Sequence, residues 1–139
     1  MEFKFGKESE AKLFTVEKSL QAVARKALSY GVMDAIVTEG ARDEAHQNKM
    51  FKTGKSNVKW PNSKHNVTVP EGLARAIDVA PYVNGAPSWN TNHCLVWAGL
   101  MLAAAAELKI KIRWGGNWDM DGEPVTDQKF QDLVHFELV

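Results

Sequence analysis

The run Ala76-Ile77-Asp78-Val79-Ala80 sets a carboxylate in the middle of an otherwise apolar, partly β-branched segment. Side chains on a strand alternate between two faces, so Ile77 and Val79 share one face and Ala76, Asp78 and Ala80 share the other. The first face suits a hydrophobic core. The second holds an acidic group between two small neighbours, with open space above it. An ionised carboxylate taken out of water is costly unless it is paired. Its partner is either a hydrogen-bond donor, such as a loop amide, or a cation, a metal ion included. A fold for this chain must therefore bury one side of the strand and bring a polar partner to the other.

The rest of the chain divides into helical and extended stretches. Residues 9–30 carry Leu13, Val16, Leu20, Val23, Ala24, Ala27 and Leu28 at helical spacing, with a break expected near Val16. Residues 33–38 read as a buried strand ending at Glu39-Gly40, and 43–51 as a polar, exposed helix. Residues 53–64 are loop; 74–82 form the strand that carries Asp78, followed by an Asn84-Gly85 turn. Asn90 or Asn92 caps a long alanine-rich helix reaching about Leu108. Residues 109–114 are a strand, 115–124 a Gly- and Asp-rich loop, 125–131 a helical turn and 133–139 a closing strand. Strands and helices mix without a βαβ repeat, which predicts an α+β fold with helices on a mainly antiparallel sheet. At 139 residues, with no linker or repeat, residues 1–139 are expected to form one domain.

Charge and composition narrow the function. Lysine plus arginine number 17, as do aspartate plus glutamate, so the formal net charge is zero. That balance argues against nucleic acid or an anionic membrane surface as the main partner. The single cysteine, Cys94, allows no intrachain disulfide and no multi-cysteine zinc site, and it reads as an inert core thiol. No stretch approaches the ~20 apolar residues of a membrane span. The first residues lack the apolar core of a signal peptide. Synthesis in a cytoplasm, without membrane insertion, is the expectation.

Only four histidines are present, His46, His65, His93 and His135. His65 lies in the loop before the Asp78 strand and His135 in the closing strand. Alternation puts His135 on one face with Glu137, while Val134, Phe136 and Leu138 take the other. Asp132 is an odd number of positions from His135, so a regular strand would turn it away. It can meet His135 only from the preceding turn. His46 and His93 fall on predicted helices and read as structural or exposed. Trp60, Trp89 and Trp118 lie in loops, where rim or core packing suits them and a substrate groove is the alternative.

Ser63-Lys64-His65, Ala76-Ile77-Asp78 and Asp132-Leu133-Val134-His135-Phe136-Glu137 resemble the zinc peptidases of the D-alanyl-D-alanine carboxypeptidase and L-alanyl-D-glutamate endopeptidase group. The pattern of that group is S-x-H-x-x-G-x-A-x-D followed downstream by [ED]-x-x-H. Phe3-Lys4-Phe5-Gly6, Glu39-Gly40-Ala41-Arg42 and Arg113-Trp114-Gly115-Gly116-Asn117-Trp118 are similar to its small phage endolysins, so the likeness runs the length of the chain. It implies a zinc ion held by His65, Asp78 and His135, with Asp132 as general base and Arg42 facing the oxyanion. Glu137 is then a carboxylate able to hold a ligand's ring nitrogen. Aspartate at the base position points to cleavage of the L-alanyl-D-glutamate bond of the peptidoglycan stem peptide by a monomeric endolysin. Such an enzyme is made in the host cytoplasm and acts on the wall after release. One departure is clear: His65 and Asp78 are thirteen positions apart, against seven in the pattern. The extra residues fall within 66–73, where a surface loop beside the active-site mouth is expected.

Two alternatives share the scaffold: a D-alanyl-D-alanine carboxypeptidase or dipeptidase, and a non-catalytic, zinc-containing wall-binding module. Asp132 and Arg42 weigh against the second, because a structural zinc site needs neither. Separately, Asn117-Trp118-Asp119-Met120-Asp121-Gly122 matches the first half of a calcium loop, with oxygen side chains at alternate positions before a glycine. The twelfth position is Gln128 in place of glutamate, leaving Glu123 or Asp127 to supply a further oxygen to Ca²⁺.

Overall fold

The structure, a computed structural model, describes residues 2–123 and 132–139. The helical stripe breaks as expected, into α1 (Lys7–Leu13) and α2 (Lys18–Ser29). Between them the backbone pairs with Ala74: its N–H donates to Thr15 O and its carbonyl accepts from Glu17 N, both at 2.9 Å. Then come β1 (Ala35–Glu39) and α3 (Glu44–Lys52), whose first turn is capped by the Asp43 carboxylate accepting from His46 N at 2.8 Å. The strand β2 (Ala76–Val83) turns through Asn84-Gly85, both at positive φ, into the short β3 (Ala86–Pro87). Asn90 caps α4 (Thr91–Leu108), and Lys109 ends it in the left-handed conformation. β4 (Ile112–Gly115) and β5 (Asp132–Leu138) complete the chain. The predicted helical turn at 125–131 lies outside the described residues.

The four main strands run antiparallel in the order β1-β2-β5-β4, with β3 on β2. The α+β expectation is met, in a small single domain. Both central strands obey the predicted alternation. Ile77, Val79 and Phe136 are fully buried against Leu20, Val23, Trp97 and Met101 of α2 and α4. Asp78, His135 and Glu137 come out on the opposite face, where Asp78 and His135 are directly paired residues. Burial of an aromatic or large aliphatic side chain contributes roughly 1.5–3 kcal/mol. The helical layer thus holds rigid the two strands whose other face carries the polar group. No helix among the described residues is long and apolar enough to cross a membrane.

One expectation about β5 is overturned. Asp132 does not precede the strand but begins it, and parity is broken instead by an irregularity in the ladder. Trp114 pairs with Phe136, yet the next residue, Gly115, pairs with Asp132. Three residues of β5 bulge against none of β4, and the Trp114 indole N–H caps the bulge by donating to Leu133 O at 2.8 Å. Glycine is required here for close approach, since a Cβ at 115 would lie 2.1 Å from Asp132 O.

Candidate metal centre

Three buried side chains meet over the β2–β5 pair: His65, Asp78 and His135. His65 Nε2 lies 3.0 Å from Asp78 Oδ1 and 3.2 Å from His135 Nδ1, and His135 Nδ1 lies 3.0 Å from Asp78 Oδ1. The outer nitrogens fix which inner atoms face the centre. His65 Nδ1 donates to the Gly40 carbonyl at 2.7 Å, and His135 Nε2 donates to Glu137 Oε1 at 2.8 Å. A carbonyl and a carboxylate only accept, so both outer nitrogens carry the protons. Their inner partners present lone pairs to one another and to a carboxylate oxygen. Such a triangle needs a cation inside it, either extra protons or a metal ion. This buried group can bind a metal ion, and among the described residues it is the only such set of three or more histidines, cysteines and carboxylates.

The electrostatics are those of the first case, in which protons are the cation and the histidines donate to Asp78. Burial acts to raise the Asp78 carboxyl, but the His65 charge and hydrogen bonds from both histidines hold it well below the usual range. For His135, burial is outweighed by hydrogen bonds to Asp78 and Glu137, lifting it to about 9. Glu137 is held down to about 2, burial being overcome by hydrogen bonds from His135, Arg113 and Lys64. Asp132 behaves oppositely: burial first, then the Asp78 charge, push it up to about 6 against the opposing His135, His65 and Arg42 charges.

A cavity of about 390 Å³ opens over the group, and Arg42, Asp132, Glu137 and Trp118 reach its wall with His65 and His135. Arg42 is buried and tied at three points: Nε to Glu39 Oε1 at 3.2 Å, Nη1 to Gln47 Oε1 at 3.2 Å and Nη2 to Asp78 Oδ2 at 3.4 Å. Five N–H groups on a guanidinium leave two for another acceptor. The Trp118 ring lies 5.2 Å from His135, with the Arg113 guanidinium over its other neighbourhood at 5.7 Å from the ring centroid. Trp118 is thus a groove residue, whereas Trp60 and Trp89 do not line the cavity.

Other sequence-predicted residues fall elsewhere. His46 pairs with Glu39 at 2.9 Å and His93 with Ser88 at 2.7 Å, both structural. Cys94 is buried, its thiol pushed up by burial and then by the Asp132 charge. Asn117 lies half-buried and Asp119 and Asp121 exposed, with Asp121 Oδ1 accepting from Glu123 N at 3.0 Å. Asp127 and Gln128 are outside the described residues. The 66–73 insertion is a half-buried to exposed loop beside the mouth, as expected. Residues 55–58 and 62–65 supply that side of the rim, and 66–69 and 72–73 line an adjoining recess that shares Asn62, Ser63 and Lys64 with the cavity. Val67 packs on the core. Helix α3 is not wholly exposed, for Gln47 is completely buried. Sequence reading missed Gln47 and quoted Gly40, Lys64 and Arg113 within motifs without giving them a role. The Gly115-Gly116 pair was the one visible hint of a backbone approach.

Comparison with known proteins places this geometry. The crystal structure of the Serratia marcescens L-Ala D-Glu endopeptidase ChiX superposes with a TM-score of 0.75 and 29% identity, over 98% of this chain and 90% of that one. Fold and site together define a peptidase. Residues 1–139 match the family model of the phage L-alanyl-D-glutamate peptidase. The L-alanyl-D-glutamate peptidase of Escherichia phage T5 is 38% identical over 143 residues, covering all of both chains. The chain belongs to the phage L-alanyl-D-glutamate peptidase family, as its motifs implied.

Proposed function

We propose that this chain is a zinc-dependent endopeptidase that cuts the L-alanyl-D-glutamate bond of the peptidoglycan stem peptide. It works as a monomer, made in the host cytoplasm and acting on the wall after release. The observation that carries the reading is the acceptor-only triangle of His65 Nε2, Asp78 Oδ1 and His135 Nδ1, with Asp132 and Arg42 on the same cavity wall. Its 3.0–3.2 Å edges suit zinc, whose bonds of ~2.0–2.1 Å imply edges of ~3.3 Å in a tetrahedron. Two imidazoles and one carboxylate leave a fourth position open, as a catalytic site requires. Zinc held there supplies Lewis acidity, polarising the scissile carbonyl and lowering the pKa of water toward ~7.

The protein's own groups do the rest. Asp132, its carboxyl pushed up by burial and then by the Asp78 charge, stands on the cavity wall to take a proton from the attacking water. It passes that proton to the leaving amine as the C–N bond breaks, so the D-glutamyl product departs neutral at nitrogen. The two remaining Arg42 N–H groups donate to the carbonyl oxygen as it gains charge. Glu137 and Gly40 fix the imidazole tautomers. Aspartate at position 132, and the printed names of both relatives, support the L-alanyl-D-glutamate bond over a D-alanyl-D-alanine end.

The acidic loop takes a calcium ion in the same reading, through Asn117, Asp119 and Asp121. Support comes from Asn117 Oδ1, a buried oxygen with no hydrogen-bond partner among the described residues. Trp118, next in sequence, reaches the His135 ring, so an ordered loop would steady one wall of the cavity.

The test is mass spectrometry of purified muropeptides digested by the purified chain, with metal analysis. Release of the stem peptide from L-alanine, abolished by a chelator and restored by Zn²⁺, is expected. Release of terminal D-alanine alone, or activity indifferent to chelation, would overturn the proposal.

A further inference from the structure

Helix α3 is mostly polar, yet one of its polar side chains, Gln47, has no exposed surface at all. A buried primary amide has two acceptor sites and two donors to satisfy. Gln47 satisfies all four. Its Oε1 accepts from Arg42 Nη1 at 3.2 Å and from Asn66 Nδ2 at 3.0 Å. Its Nε2 donates to Ser56 Oγ at 3.0 Å and to Val58 O at 2.8 Å. The two ends of one amide therefore hold two different parts of the cavity. The oxygen end grips the guanidinium and the residue that follows His65; the nitrogen end grips the 56–58 rim.

We infer that Gln47 is a positioning residue that sets the Arg42 guanidinium and the 56–58 rim in register with each other. Arg42 has two other partners, and both are carboxylates, Glu39 and Asp78. Without a neutral acceptor on Nη1, those two charges pull the guanidinium toward themselves and away from the cavity. The amide balances that pull without adding a third negative charge beside Asp78. A fully bonded buried network of this kind fixes geometry more than it adds stability. Small displacements of a positioned group cost up to ~10²-fold in rate.

The inference rests on the peptidase reading and on the place of Arg42 within it, so Arg42→Ala is measured first. Arg42→Ala should lower kcat by ~10²–10³-fold with zinc content unchanged. No fall would sink that reading of Arg42, and the inference with it. Gln47→Met, close in shape but without hydrogen bonds, should then lower kcat by ~10–100-fold with zinc retained. Introduced into the Arg42→Ala background, it should cost nothing further in kcat, because the group it positions is gone. Gln47→Glu is the second variant, and it needs no loss of acceptors: an oxygen still faces Arg42, while both donors to the rim are lost. It should raise KM, and its added charge beside Arg42 should lower kcat no further than Gln47→Met does. If Gln47→Met does not fold, the split in Gln47→Glu decides. A kcat loss that is fully additive with Arg42→Ala, or a Gln47→Glu protein that loses kcat and keeps KM, would make Gln47 a merely structural residue.

Discussion

Replacement of Glu137 tests how much of the metal affinity lies outside the ligands themselves. Glu137 is only 6% exposed, and its two oxygens have separate duties. Oε1 accepts from His135 Nε2 at 2.8 Å, while Oε2 accepts from Arg113 Nη2 at 2.7 Å and lies 3.1 Å from Lys64 Nζ. In Glu137→Ala the His135 ring loses the acceptor that holds its proton on Nε2 and its lone pair on Nδ1. Loss of such a partner typically costs 10–100-fold in metal affinity, ~1.4–2.8 kcal/mol. The fold should suffer less. Arg113 and Lys64 are about one-third exposed and rehydrate when freed, so the ~3–5 kcal/mol penalty of an orphaned buried charge does not arise. Glu137→Gln keeps an oxygen for His135 but turns an NH₂ toward two cations, and its affinity should fall between wild type and Ala. Competition for Zn²⁺ against a chromophoric chelator measures each constant, and thermal melting in excess chelator measures the fold. Affinity within twofold of wild type for Glu137→Ala would refute the argument and reduce Glu137 to a salt-bridge residue.

Asp132→Asn should retain zinc and fold while losing ~10²–10⁴-fold in kcat, measured on muropeptides with metal content in parallel. Loss of activity only in step with lost metal would make Asp132 a ligand instead. Gly115→Ala places a methyl where Asp132 O now sits, 2.1 Å from the new carbon, so the β5 bulge must shift. Turnover should fall at least tenfold with zinc retained; an unchanged kcat would show that the bulge does not position Asp132. Calcium added to the zinc-loaded protein should change tryptophan fluorescence and raise activity, and Asp119→Ala/Asp121→Ala should abolish both responses. No response up to millimolar Ca²⁺ would remove the calcium loop from the proposal.

Most of the fold was legible because β2 and β5 obey the two-residue period over their central stretch. Ile77, Val79 and Phe136 went to the core, and Asp78, His135 and Glu137 to the other side, as alternation requires. The same rule failed at Asp132, since parity counts hold only while the ladder is regular. The jump from Trp114–Phe136 to Gly115–Asp132 is a pairing property that neither strand carries alone. Gln47 was illegible for another reason. Polar helices read as exposed because an amide is normally solvated, and only the loop from 55 to 66, with three partners, together with Arg42 before α3, lets it be buried. The loop from 66 to 73 lies beside the mouth, as its place after His65 implied. Val67 packs it on the core.

The placement of core and site on opposite sides of the same two strands also explains how a cluster of acceptors survives without collapsing. His135 and Glu137 are separated by Phe136, which has no exposed surface and is clamped in the helical layer. Asp78 is bracketed in the same way by Ile77 and Val79. Moving any ligand outward to relieve repulsion would drag a buried large side chain out of a close-packed core, where a cavity of even methyl size costs ~1 kcal/mol. His65 is the exception, because it sits on a loop. It is held by two backbone contacts instead, its ring to Gly40 O and its carbonyl to Arg42 N at 2.8 Å. Residue 40 must be glycine for this, since a Cβ there would lie 2.2 Å from Thr15 Oγ1. His65 is therefore set by the contact between the β1 exit and the α1–α2 break, far from Asp78 and His135 in sequence. Packing in that distant corner, and not the sequence motif alone, fixes the shape of the His65–Asp78–His135 group.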